Sequence, residues 1–426
     1  MRRIKKCLAL GLASIMILGT TACDLSEWPD RKPGLSEQRS EEPQEASCEE
    51  LTKSSSAAAP KAGEIAAAFT EAEDFRTGIR KFAAKLLAKS YQGETIMVSP
   101  LSLYAALGML VNGAEGETLS ELETMLGCSA DTLSKCILYL NTVSEEKDVV
   151  RMANSIWINS GVPFTAKQGF LDKCGTYYRS AVMKAPFTDP KTVEAINNWV
   201  KEHTKGRIDK IVDALTDLQV MVLINALTFD GTWEDAFEEE ATEKDAKFYT
   251  AGGTKKVDMM NGFADRYFEN EYMVGFEKDY KQGYLFRAYL PKDGQTVSDI
   301  MEKLPEAPAI PYQQATTIRI AMPKFEESST IGMTEILKEL GMKKAFTDAA
   351  EFKGISDTEV HVSSVLQKTY IKVHEKGTEA AAVTGILIEA NCVREEVFRE
   401  VRLDHPFVYE IVDITGNIPM FIGVYE

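Results

Sequence analysis

An α+β fold with large sheets is the architecture predicted by the sequence, on three observations. Helical spacing comes early in the chain and strand patterns dominate later. The run "LQVMVLINALTFDGTW", ended by Asp230-Gly231, is almost continuously apolar, as a strand buried on both faces in mid-sheet should be. The stretch "SSVLQKTYIKVHEKG" alternates, with Val365, Gln367, Thr369, Ile371 and Val373 on one face and Lys368, Tyr370 and Lys372 on the other.

Taken in order, residues 1–22 read as an export signal. "MRRIKK" is basic, and "CLALGLASIMILG" is apolar but too short to span a bilayer comfortably. "TTAC" resembles a bacterial lipoprotein processing box, with Thr20 where Leu is usual. The resemblance implies lipidation at Cys23 and an extracellular or envelope location, touching the membrane only through that anchor. Secretion without a lipid is the alternative. Residues 23–63 hold few large apolar groups and read as a tether, leaving 64–426 as the folded domain.

In that domain, Ile65, Phe69, Phe75, Ile79, Phe82, Ala83, Leu86 and Leu87 predict one helix over Glu64–Lys89. "TIMV" predicts a short strand. Ser99 and Pro100 open a helix that Gly113 and Gly116 stop. Helices are expected at "ETLSELETML", "DTLSKCILYLNTV" and "VEAINNWVKEHT". Strands are expected at "VVRMANSIWIN", "AVMKAPF", "GYLFRAYLPKDG", "TIRIAMPKF", "HPFVYEIVD" and "PMFIGVYE".

The formal charge is −17, and about −21 once Arg2, Arg3, Lys5 and Lys6 leave with the signal. Such a chain repels nucleic acid, and no cluster of four basic residues follows the N-terminus, so neither nucleic acid nor heparin is an expected partner. Cys128, Cys136, Cys174 and Cys392 form no CxxC or metal spacing and read mostly as free thiols. No nucleophile elbow, zincin, P-loop or dinucleotide fingerprint is present, so no catalytic residue, cofactor or metal is expected. "EDAFEEEATEKD" reads as a solvated acidic loop. A cysteine hydrolase using Cys392 with His203 or His374 as base is the enzyme alternative, without local support.

Several ordered motifs, over roughly Phe69 to Glu426, resemble the serpin family: "IMVSPLSLYAALGMLVNGAEGETLSEL", "INNWVKEHTKGRIDKIV", "LINALTFDGTW", "IRIAMPKFE", "LKELGMKKAFTDAAEFKGIS", "VHEKGTEAAA", "LDHPFVYEI" and "PMFIGVYE". The resemblance implies three β-sheets, eight or nine helices and an exposed reactive-centre loop at about 375–399. It also implies a monomeric inhibitor that forms a covalent complex with an extracellular serine protease. By motif position, Glu375, Gly377, Thr378, Glu379, Ala380, Ala381 and Ala382 are the loop hinge. Lys324 pairs with Glu375 near Trp233, and Ser99, Ser102 and Asn225 form a polar cluster under the sheet. Gln367 stands there where many relatives carry His, which puts control of sheet opening in question.

As a strand, the loop would show Thr378, Ala380, Ala382, Thr384, Ile386 and Ile388 inward, a face without charge. Glu379 and Glu389 fall on the other face. Counting seventeen residues from Glu375, as in typical inhibitory members, puts the scissile bond at Asn391–Cys392. The stretch that follows is a few residues longer than expected. Ala390, Asn391, Cys392 and Val393 favour an elastase-like or subtilisin-like target. Arg394 is a competing trypsin-like bait, and an Asn-specific cysteine protease is a third possibility. A non-inhibitory member, cut as a simple substrate, is the alternative within the family.

Overall fold

The computed structural model describes residues 48–54, 58–304, 310–315, 317–378 and 397–426. The signal, Cys23, hinge residues Glu379, Ala380, Ala381 and Ala382, and the bond at Asn391–Cys392 with Ala390, Val393 and Arg394 lie outside them. Among the described residues there are nine α-helices: α1 (Ala62–Glu71), α2 (Glu73–Ser90), α3 (Pro100–Val111), α4 (Gly116–Leu126), α5 (Ala130–Lys147), α6 (Gln168–Tyr178), α7 (Pro190–His203), α8 (Val297–Met301) and α9 (Thr334–Leu340).

The single helix expected over Glu64–Lys89 is two, broken at Ala72. No Pro or Gly marks the break. Arg76 from α2 donates to the carbonyls of Phe69 and Thr70 at 2.6 and 3.1 Å, satisfying groups freed where α1 ends. Gly116 opens α4 rather than only closing the helix before it. All twelve residues of α3 are buried, so it is a core helix without a polar face. Ser99 caps it, its hydroxyl accepting from the Ser102 amide at 3.2 Å.

Eight strands form the largest sheet. Its order is β1 (Glu49–Glu50), β4 (Ala181–Ala185), β3 (Val150–Asn159), β5 (Met221–Phe229), β14 (Ser364–His374), β15 (Gly377–Thr378) and β6 (Gly231–Thr232), with β13 (Phe325–Gly332) also on β14. Every residue of β5 is buried, and the sides of β14 alternate as its sequence requires. A six-stranded sheet runs β2 (Ile96–Val98), β18 (Ile418–Tyr425), β17 (Phe407–Asp413), β11 (Tyr284–Pro291), β10 (Met273–Tyr280) and β9 (Arg266–Glu269). A four-stranded sheet runs β16 (Phe398–Arg402), β12 (Thr317–Pro323), β8 (Gly253–Phe263) and β7 (Glu243–Thr250).

The main core joins residues of α2 to α6 with residues of all three sheets. A smaller one joins Ile196 and Val200 of α7, then Ile208, Ile211 and Val212, to Trp157, Ile224 and Ala226 on β3 and β5. No described helix is long and apolar enough to cross a membrane.

Two expected boundaries need correction. Cys48 to Ser54, assigned to the tether, belong to the fold. Glu49 and Glu50 pair with Lys184 and Met183 as an edge strand, and Thr52 is buried with its hydroxyl accepting from the Val182 amide at 3.3 Å. Edge pairing uses backbone groups alone, so acidic side chains did not reveal it. The loop range 375–399 is also too generous, since β15 and β16 hold Gly377–Thr378 and Phe398–Arg399. Cys48, Cys128, Cys136 and Cys174 are free thiols.

Candidate functional site

The candidate site is the fork between β5 and β14. Below it the two strands pair directly and in parallel, Ser364–Tyr370 against Val222–Thr228. Above it the chain turns at Glu375–Lys376 and returns as β15, which fills the gap between β14 and β6. Thr378 pairs with Val373 on one side and Gly231 on the other, and Gly377 with His374 and Thr232. Gly377 and Thr378 are therefore seated between β14 and β6, antiparallel to both. Just below the fork the Thr228 hydroxyl is buried and has no hydrogen-bond partner among the described residues.

Each seated residue suits the slot. Gly377 has φ +153°, and a Cβ there would come within 2.1 Å of the Gly231 carbonyl oxygen. Thr378 is fully buried, and its hydroxyl meets the Tyr280 hydroxyl at 2.6 Å. Tyr280 stacks on Trp233 with centroids 4.1 Å apart. Trp233 ties the turn down: its indole N–H donates to the His374 carbonyl at 2.9 Å and its amide to the Lys376 carbonyl at 3.1 Å. The Phe237 amide holds the Glu375 carbonyl at 2.8 Å.

Lys324 and Glu375, distant in sequence, form an ion pair of 2.9 Å, and Thr242 donates to the other carboxylate oxygen at 3.1 Å. Burial pushes the Glu375 carboxyl upward, but Lys324 and Thr242 outweigh it and hold the group below its ordinary value. Burial holds His374 below the ordinary imidazole value; Glu375 opposes this, and Lys324, Lys372 and Lys376 add to it.

Lower down, Gln367 occupies the polar cluster and uses both ends of its amide. Its oxygen accepts from the Ser99 amide at 2.9 Å, and its NH2 donates to the Ser99 carbonyl at 2.9 Å and to Asn225 Oδ1 at 2.6 Å. Asn225 donates in turn to Ser102 and to Asn154, and the Ser99 hydroxyl reaches the Met420 carbonyl at 2.8 Å. Asn154, on β3, is a member that sequence reasoning missed; β3 buries seven residues in a row, so no alternation singled it out. Because an amide does not titrate, these bonds persist where an imidazole would change charge.

The histidines offered for an enzyme are otherwise engaged. His203 stacks on Trp199 at 4.1 Å and contacts the Trp199 carbonyl through Nδ1 at 2.7 Å. Nδ1 of His374 accepts from the Lys376 amide at 3.3 Å.

The two depressed pKa values at the turn make acid the agent that loosens it. The carboxylate contribution is present above about pH 4.3 and fades as pH falls through its lower native value. The imidazole, once released, takes a proton near its ordinary value of about 6.5, sooner than in the folded turn, so opening is favoured from there downward. Amide exchange of residues 371–378, corrected for its intrinsic pH dependence, is expected to quicken between pH 7 and pH 4. Lys324→Met should quicken it already at pH 7 and flatten the acid response. Exchange independent of pH would contradict this account of the turn.

The family model described as "Serpin (serine protease inhibitor)" matches residues 77–426. Iripin-3 of Ixodes ricinus is 31% identical over 79% of this chain and 90% of its own. The crystal structure of tengpin, a thermophilic serpin, in its native state superposes with a TM-score of 0.78 at 34% identity, covering 89% of this chain and 99% of that one. A thyroxine-binding globulin in complex with thyroxine shares the fold, with a TM-score of 0.72 at 24% identity over 82% of this chain and 98% of that one.

Proposed function

The chain belongs to the serpin family, and from that premise we propose that it inhibits extracellular serine proteases as a suicide substrate. Serpins are mostly inhibitors rather than enzymes, and a thyroxine-binding globulin in complex with thyroxine has the same fold. The fold alone therefore does not choose between inhibition and a passive role. The observation that carries inhibition is the loaded sheet: β5 and β14 are still paired below the fork while Gly377 and Thr378 already occupy the slot above it.

The protease serine attacks the carbonyl of the scissile residue, placed at Asn391, forming an acyl ester and releasing the amino group of the next residue. The freed strand then extends β15 downward between β5 and β14. Its inward residues Ala380 and Ala382 are small and uncharged, so nothing on that side opposes entry. One parallel ladder becomes two antiparallel ones, each added hydrogen bond contributing roughly 0.5–1.5 kcal/mol. Insertion carries the acyl-linked protease away before water completes hydrolysis. Small neutral residues at Ala390 to Val393 favour elastase-like or subtilisin-like targets. The basic-apolar leader and Cys23 support export and a lipid tether at the cell envelope.

Incubation with a subtilisin and an elastase is expected to give an adduct that survives boiling in detergent, with the mass of the protease plus the inhibitor less its C-terminal peptide. The peptide released should begin at Cys392. Clean cleavage with full recovery of protease activity would assign the chain to the non-inhibitory branch.

A further inference from the structure

On the outer face of the four-stranded sheet, three strands carry an unpartnered aromatic–arginine stripe. Phe263 on β8 lies directly opposite Arg319 on β12. Arg319 lies opposite Glu400 on β16, two residue pairs from Phe398 opposite Thr317, so all four fall on one face. The Arg319 guanidinium makes no ion pair among the described residues, although Glu400 faces it. It sits instead 4.8 Å over the Phe398 ring. Phe263 and Phe398 are 55% and 43% exposed, whereas their strand neighbours Ile318, Ile320 and Val401 point inward and are buried. Two open phenyl rings flanking an arginine without an acid partner are unusual on a surface of net charge −17. Aromatic residues and arginine are also the residue types in which binding hot spots are enriched.

We propose that this stripe is a second docking site for the target protease, engaged alongside the reactive bond; the inference rests on the inhibitory reading. The occupant follows from chain continuity. Phe398 is the sixth residue after Cys392, so even fully extended chain keeps it within about 20 Å of the scissile bond. A globular domain of about 200 residues has a radius of gyration of about 16 Å, so a protease seated on that bond stands beside the stripe. The complementary surface is apolar with an acidic group, which Arg319 would meet while both rings are covered. Docking there would raise the rate of encounter and trapping without altering the bond that is cut.

The test uses the full-length chain and subtilisin and elastase silenced by replacement of the active-site serine with alanine, which report binding without acylation. The variant Phe263→Ser, Arg319→Glu, Phe398→Ser is expected to bind the silenced enzymes at least tenfold more weakly, with an unchanged melting temperature because all three side chains are exposed. Trapping by the active enzymes should slow by a similar factor with the same cleavage site. Unchanged affinity overturns the proposal, as does absence of binding by either silenced enzyme. A wild-type dimer in sedimentation that the variant dissolves also overturns it, since the stripe would then join two copies. If silenced protease binds through the stripe but active protease forms no adduct, the docking site stands and the suicide-substrate reading falls.

Discussion

Thr378→Arg is expected to convert the protein from an inhibitor to a substrate. With a target protease the parent should consume about one molecule per enzyme trapped; the variant should consume more than ten, most of it recovered cut. Thr378 is the last described residue of the inserted hinge, fully buried, with its hydroxyl on Tyr280. An arginine there would place a cation beside Tyr280 and Trp233, with Lys278 also buried nearby and its amine 5.8 Å from the Trp233 ring. The nearest carboxylate of the turn, Glu375, is engaged by Lys324. An unpaired buried charge costs several kcal/mol.

In the proposed mechanism insertion competes with deacylation, so the outcome would be set by a ratio of rates. A barrier higher by about 2.8 kcal/mol slows insertion about a hundredfold, leaving water time to hydrolyse the ester. Thr378→Val is the graded control. It keeps the shape and leaves the Tyr280 hydroxyl unsatisfied, worth about 1–3 kcal/mol, so its stoichiometry should fall between parent and arginine. The readout is the titration of protease activity against inhibitor. If Thr378→Arg traps as efficiently as the parent, Thr378 does not travel on the inward face.

What the sequence disclosed follows from how each feature is encoded. β14 was legible because one face meets the core and the other does not, so burial writes itself as alternation over Val365 to Val373. β5 was legible because both of its faces are covered. The pairing of Lys324 with Glu375 was reached only through the family motifs, since no local pattern relates residues so far apart. Other features leave no local trace. The edge strand at Glu49–Glu50 is held by backbone groups, and the break at Ala72 is satisfied by Arg76 from the next helix. Asn154 joins the Gln367 cluster from a strand buried on both faces. Phe263, Arg319 and Phe398 meet only because β12 lies between β8 and β16. Gln367 shows the reverse case: sequence raised a doubt about the cluster, and the geometry shows its side chain donating twice and accepting once within it.

Cleavage in the loop is expected to raise the melting temperature by at least about 10 °C. In the intact chain the ladder from Ser364 to Tyr370 is a parallel one, and among the described residues the slot above it holds Gly377 and Thr378. Once cut, about a dozen residues can pair on both sides, at roughly 0.5–1.5 kcal/mol per hydrogen bond. In the proposed inserted strand Ile386 and Ile388 would face the core, worth roughly 1.5–3 kcal/mol each. Ordering the strand takes back about 1–2 kcal/mol per residue. Breaking the parallel ladder takes back a further part; if a surplus on the order of 10 kcal/mol remains, comparable with the stability of a whole domain, the shift follows from the unfolding entropy. At about 2.1 cal/mol/K per residue, a domain of about 360 residues gains about 0.8 kcal/mol of entropy per kelvin, which converts the surplus to about 13 °C. Nicked and intact samples scanned at the same rate provide the measurement. The gain must also disappear in a chain cut N-terminal to Ala380, because too few residues then remain attached to β15 to fill the slot. Equal melting temperatures for intact and loop-cleaved protein would mean that no energy is stored between β5 and β14, and the proposed trapping mechanism would have nothing to drive it.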